Sequence, residues 1–216
     1  MRAIPSSRRS VPSHALRRLE PALALRPGVR VLDAGSGTGR HAIYMAAKGC
    51  MVDAVDSSRA ACRLAEDRVA RSGYLIGSVR VIEGVLQAWS LPDERYDVVI
   101  DSYVSCHLLS ENERQSYLRG LLQCLRPGGR LFTASMGAGD AYYKSVSLAG
   151  EECEFIATDP LNSVTKLLQA PKTNLERNAE IASVIQSTVE TFEDDVGGRL
   201  YRRQVVASVL QQAHSG

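Results

Sequence analysis

The chemistry-bearing residues of this chain concentrate in one short run, Asp33-Ala34-Gly35-Ser36-Gly37-Thr38-Gly39. Three glycines at alternate positions let the backbone take positive φ and approach a ligand closely, and a helix starting beyond them presents unpaired N–H groups. A glycine loop of this kind also occurs in dinucleotide-binding folds as G-x-G-x-x-G. Here the third glycine comes one residue early, and Arg40 stands where that fingerprint would continue. Asp33 directly before the loop would repel a diphosphate and welcome a cation, so a ligand with an ammonium and no phosphate fits better. Asp56 lies 17 residues beyond Gly39 at the end of a second β-rich run, where a carboxylate can accept both hydroxyls of a ribose. Asp53 competes for that role, and alternation along the strand favours Asp56.

The elements that must hold these residues follow from periodicity. Residues 29–33, 51–56, 79–83, 97–102 and 130–135 read as strands, and 39–48, 58–71 and a stretch from Ser110 onward read as helices. Ser110 and Glu113 have the spacing of a capping box, Leu118, Leu121, Leu122 and Leu125 form one apolar face, and Arg126-Pro127-Gly128-Gly129 closes the helix. Short connections between alternating strands and helices imply right-handed crossovers and a mostly parallel sheet covered on both faces. Residues 138–175 lose this alternation apart from a short helix near Tyr142, and another helix runs from about Asn174 to Ala182. Two-residue alternation over 187–193, a Gly197-Gly198 turn and the apolar run 204–210 read as a terminal antiparallel hairpin.

With 216 residues, 44% hydrophobic and 23% charged, the chain has the composition of one globular domain. No apolar run is long enough to span a bilayer, and a net charge of only +2 argues against nucleic acid or membrane partners. The basic residues comprise 22 Arg and 4 Lys, and seven of the Arg fall in the first thirty residues. Residues 1–12 are therefore read as a flexible basic arm, and 13–216 as a single domain. The five cysteines, Cys50, Cys62, Cys106, Cys124 and Cys153, include no C-x-x-C pair, which disfavours a disulfide framework or a thiolate zinc site and suits a cytoplasmic protein.

Residues 29–136 resemble the class I S-adenosylmethionine-dependent methyltransferases. The resemblance rests on the Asp33–Gly39 loop, Asp56-Ser57, Tyr96-Asp97-Val98-Val99 and Leu125-Arg126-Pro127-Gly128-Gly129, in that order. It implies an α/β, Rossmann-like, doubly wound seven-stranded sheet, mostly parallel, ending in the antiparallel hairpin. The implied cofactor is S-adenosylmethionine, leaving as S-adenosylhomocysteine. By the same resemblance Gly35, Gly37 and Gly39 line the methionine and ribose, Asp33 lies near the amino group, and Asp56 takes the ribose hydroxyls. Ser36, Ser57, Val85, Leu86 and Asp101 complete the expected cofactor side. Many members place an acid for the adenine amine where Val85 and Leu86 stand, so adenine contacts here fall to backbone, Gln87 or apolar packing. Trp89 is either packed near the adenine or a loop anchor.

For the acceptor, His107 follows the fourth strand, where the family often has a histidine facing the transferred methyl. A site role and a satisfied structural histidine both stand. His14 either folds over the cofactor or lies exposed behind a Ser13 cap, and Tyr103 joins the acceptor set. Tyr142 and Tyr143 form either an aromatic wall or core packing, and two adjacent helical tyrosines are not expected to face inward together. Arg202 and Arg203 read as solvated. Asp101-Ser102-Tyr103-Val104 lacks the signature of many nucleobase amine methylases, and no acidic cluster suggests a metal, so a small-molecule O or N nucleophile is the expected acceptor. Residues 138–175 are expected to build its pocket or a lid. A non-catalytic cofactor-binding module and a nicotinamide-dependent oxidoreductase are the alternatives.

Overall fold

The computed structural model describes residues 9–85, 95–146, 154–161 and 163–211. The chain enters through α1 (His14–Leu19) and a 3-10 turn, Glu20–Leu23, then alternates through β1 (Arg30–Ala34), α2 (Arg40–Ala47), β2 (Met51–Asp56), α3 (Arg59–Arg71), β3 (Ser78–Glu83) and β4 (Tyr96–Ser102). After a second 3-10 turn, Ser105–His107, come α4 (Glu111–Gln123), β5 (Leu125–Met136), α5 (Ala141–Ser145), β6 (Phe155–Thr158), β7 (Thr165–Leu168) and α6 (Pro171–Ile181). The long strands β8 (Ser183–Val196) and β9 (Arg199–Gln211) end the fold. Seven strands form one sheet in the order β3-β2-β1-β4-β5-β9-β8, while β6 and β7 pair separately. The first five strands are parallel, and β9 runs antiparallel to both neighbours, as expected of the terminal hairpin.

Burial on both faces explains the apolar runs. Val31, Val98, Ile100 and Phe132 pack into one core with Leu16, Leu19 and Met45, while their neighbours Leu32, Val99 and Leu131 pack into another with Leu118, Leu121 and Leu122. Successive side chains point to opposite faces, so a strand buried on both must be apolar throughout. Strand order reverses between β1 and β4, which opens a crevice at their carboxyl ends. The glycine loop leaves β1 and the His107 turn leaves β4 at that crevice.

Several local expectations change. Ser110 flanks α4 without any side-chain capping bond, so the capping box with Glu113 does not form. Glu111 is engaged instead, by Arg114 and Arg177. The helix stops at Gln123, and Leu125–Gly129 enters β5 through a register shift against β4. The unpatterned stretch 138–175 contains α5 and the β6–β7 pair, which a parallel bridge between Gly137 and Gln169 joins to the end of β5. At the near end of the expected arm, Arg9 pairs with Asp194, and its carbonyl accepts a bond of 3.1 Å from Arg68. Residues 1–8 of the expected arm lie outside the described residues.

Candidate active site

The loop after β1 is pinned by its own backbone. Gly35 and Ser36 N–H both donate to the Val55 carbonyl at the end of β2, at 2.8 and 2.9 Å. Gly35 takes a φ of +71°, and a Cβ there would overlap the Val104 methyl from the loop after β4. Gly37, at +56°, has open space where a side chain would stand, and its N–H donates to Asp56 Oδ2 at 2.8 Å. The other Asp56 oxygen accepts from Ser58 N–H at 2.8 Å, and each oxygen keeps a further lone pair. Asp53 is spent elsewhere, on Arg80 and the Tyr96 hydroxyl.

Asp33 is 1% exposed, and neither of its oxygens meets a hydrogen-bond donor among the described residues; the Ser36 hydroxyl in the same loop is similarly buried and unsatisfied. Burial drives the Asp33 pKa up to about 7, against the opposing pull of the Arg40 charge. An uncompensated buried carboxylate is costly, and a ligand ammonium would relieve it. Ser57 and Val85 are exposed beside the end of the crevice strands, β2 and β3. Leu86, Gln87, Trp89 and Cys153 lie outside the described residues. Asp101 has a structural task instead: one oxygen accepts from the N–H groups of Val104 and Ser105, and the other from the Thr133 hydroxyl at 2.8 Å. These bonds hold the loop after β4 in shape.

On the β4 side, Tyr103 adopts a left-handed φ of +67°. Burial raises its phenol pKa to about 12, with the Arg40 charge opposing. His107 keeps an exposed edge, and its Nδ1 lies 3.2 Å from the Thr165 carbonyl. A carbonyl only accepts, so in the neutral ring Nδ1 carries the proton and Nε2 is the free base. Partial burial and the nearby Lys166 charge lower its pKa, which keeps it neutral near pH 7.

Tyr142 and Tyr143 are both buried, contrary to expectation, because different elements cover the two sides of α5. Tyr142 packs on Tyr201 and donates to Asp159 at 2.7 Å, whereas the Tyr143 hydroxyl accepts from Lys166 at 2.9 Å. Arg203 is buried rather than solvated: it binds Asp140 at 2.7 Å and Asp194 at 3.2 Å and lies against both tyrosine rings. His14 is exposed and stacks on Phe192, and Ser13 caps α1 through Leu16 N–H. The buried histidine at that junction is His41, whose Nε2 accepts from Ser13 N–H at 3.2 Å. Burial lowers its pKa well below the ordinary value. Arg68, also unforeseen, donates to both oxygens of Thr38 and ties the N-terminal segment to the glycine loop. Nothing in local sequence announces these partners, although Lys166 is one of only four lysines in an arginine-rich chain.

Residues 31–129 match the family model described as a methyltransferase domain. The ubiquinone/menaquinone biosynthesis C-methyltransferase of Vibrio vulnificus is 30% identical over 110 residues, which is 49% of this chain and 40% of that protein. The chain thus spans less than half the length of this curated relative. Among solved structures, a methyltransferase from Methanosarcina mazei superposes with a TM-score of 0.70 at 19% identity, covering 88% of this chain and 95% of the other. The 1,6-didemethyltoxoflavin-N1-methyltransferase of Burkholderia thailandensis, solved with its substrate and S-adenosylhomocysteine, superposes at 0.65 and 18% identity over 92% and 79%.

Proposed function

We propose that this chain, which belongs to the class I S-adenosylmethionine-dependent methyltransferase family, transfers a methyl group to a small-molecule O or N nucleophile. The observation that carries the reading is the buried, unpartnered Asp33 carboxylate beneath a glycine loop whose Gly37 position is open. That donor set fits the cofactor: Asp33 answers an amino group, the spare lone pairs of Asp56 answer ribose hydroxyls, and exposed Val85 offers an apolar contact for adenine. When bound, S-adenosylmethionine supplies an electrophilic methyl on a sulfonium.

The chain's own residues then position and deprotonate the acceptor. His107 Nε2 takes the proton from an O–H or N–H nucleophile, and the Thr165 carbonyl holds the ring in the tautomer that can do so. The pinned loops at the ends of β1 and β4 would hold cofactor and acceptor at the crevice, and positioning of this kind supplies much of the acceleration in a methyl transfer. The named relatives methylate at carbon and at nitrogen, so the fold alone does not choose the atom; the free His107 base supports a protonated O or N. No described helix is long and apolar enough to cross a membrane. The described cysteines are buried thiols, which suits a reducing cytoplasm.

Calorimetry with S-adenosylhomocysteine and with NAD is the first test. Binding of NAD alone would move the chain to the oxidoreductases. Incubation with methyl-labelled cofactor and a panel of small acceptors is the second. Label entering only macromolecules would overturn the small-molecule reading, and no transfer beside tight cofactor binding would make the chain a binding module.

A further inference from the structure

Lys166 is the buried cation that the catalytic reading leaves unused. It sits on β7 next to Thr165, whose carbonyl meets His107, and its strand packs against the turn after β4 that carries Cys106 and His107. Its side chain is in a residue only 6% exposed, yet among the described residues its one hydrogen bond goes to a neutral partner, the Tyr143 hydroxyl at 2.9 Å. The contrast with Arg203 is sharp, since that equally buried cation has two carboxylates, Asp140 and Asp194. A buried ammonium facing only a phenol is expensive unless an anion joins it. Tyr143 accepts the Lys166 proton, so its own O–H remains available to donate. The remaining Lys166 N–H groups and this O–H place donors from two adjacent side chains together, the arrangement that suits the two oxygens of one carboxylate.

We propose that Lys166 and Tyr143 form a carboxylate-recognition subsite, so that the methyl acceptor is a small acid whose carboxylate is held there while its nucleophilic atom faces His107. This rests on the methyltransferase reading and deepens it by naming the acceptor class. Lys166 is a specificity residue in this scheme, and it takes no part in bond making.

The test uses the full chain saturated with S-adenosylhomocysteine at pH 7.5, probed with matched acids and amides: 4-hydroxybenzoate against 4-hydroxybenzamide, anthranilate against anthranilamide, and indole-3-acetate against its acetamide. Acids should bind at least tenfold more tightly than their amides to the unsubstituted protein, a ratio in keeping with a charge-assisted contact. The ratio should collapse in Lys166→Met, persist in Lys166→Arg and shrink in Tyr143→Phe. Lys166→Met should also melt at the same temperature or higher, because an apolar side chain of similar length replaces a poorly paired buried charge. A large fall in melting temperature in Lys166→Met would assign the lysine to structure and overturn the proposal. Equal binding of acids and amides to a protein that does bind S-adenosylhomocysteine, or a preference that survives in Lys166→Met, would overturn it as well. Failure of S-adenosylhomocysteine itself to bind the unsubstituted chain would instead sink the methyltransferase reading, and the subsite with it.

Discussion

The two sides of the crevice are built on opposite principles. The glycine-loop side is local and under-satisfied: Gly37 meets Asp56 only 19 residues away, and the buried Asp33 carboxylate meets no hydrogen-bond donor among the described residues. The proposed acceptor side is assembled from distant segments joined by long-range pairs. Asp140 and Arg203 are 63 residues apart, His107 and Thr165 are 58 apart, and Arg9 reaches Asp194 across 185. The difference teaches where each side gets its shape. A short loop with one unanswered charge is assembled by neighbours in sequence, whereas the opposite side takes its shape from ion pairs between distant segments.

The largest expected loss of stability tests the side built on long-range pairs. Asp140→Ala removes the N-cap of α5 and leaves Arg203 buried with only Asp194, so it should cost about 3 kcal/mol or more in a denaturant titration. A loss under about 1 kcal/mol would show that this half does not depend on its ion pairs.

Asp33→Asn probes the unanswered charge of the other side. The folded pKa is raised from 3.8 to about 7, so the ligand-free protein loses stability as pH rises from about 4 to about 7 and is flat above. Asparagine never ionises, and the ligand-free variant should therefore gain up to about 4 kcal/mol over the parent at pH 8, with little difference at pH 4. Its affinity for S-adenosylhomocysteine should fall, while that of the parent should rise with pH through about 7. A melting curve insensitive to pH in the parent would break the comparison.

Turnover isolates the base. His107→Ala should lower kcat by about a hundredfold and leave cofactor affinity within about twofold, read by single-turnover transfer and calorimetry. Equal losses in both would make His107 a scaffold residue.

The smallest effect sharpens the local side. Asp56→Ala should weaken cofactor binding by about 1–2 kcal/mol, whereas Asp53→Ala should lower only the melting temperature, because its partners are Arg80 and Tyr96. The reverse pattern would mean that the ribose contact lies elsewhere.

Legibility followed the same division. The central strands β1 and β4 announced themselves through continuous apolar runs, since burial on both faces leaves no polar alternation to confuse the pattern, whereas β2 and β3 carry polar residues among their apolar ones. Asp56 was preferred to Asp53 by strand alternation, and the structure sets it against Gly37. The burial of Arg203, and of Tyr142 and Tyr143 together, went against expectation for one reason: each is buried by a partner that arrives from another part of the chain. The Ser110 capping box does not form, and the first turn of its helix instead carries Glu111, paired locally with Arg114 and across the fold with Arg177. The β6–β7 pair went unread because four-residue strands carry too little periodicity to stand out.

By itself the amino-acid sequence determined the doubly wound sheet, the glycine loop and the position of its two acids, because these follow from backbone conformation and side-chain alternation over a few adjacent residues. Only the tertiary structure decided that Asp33 would be left without a donor, that Arg203 would be neutralised by two carboxylates, and that Lys166 would be left with a phenol. Burial and pairing of a charge depend on which distant segments fold over it, and no local pattern encodes that distance.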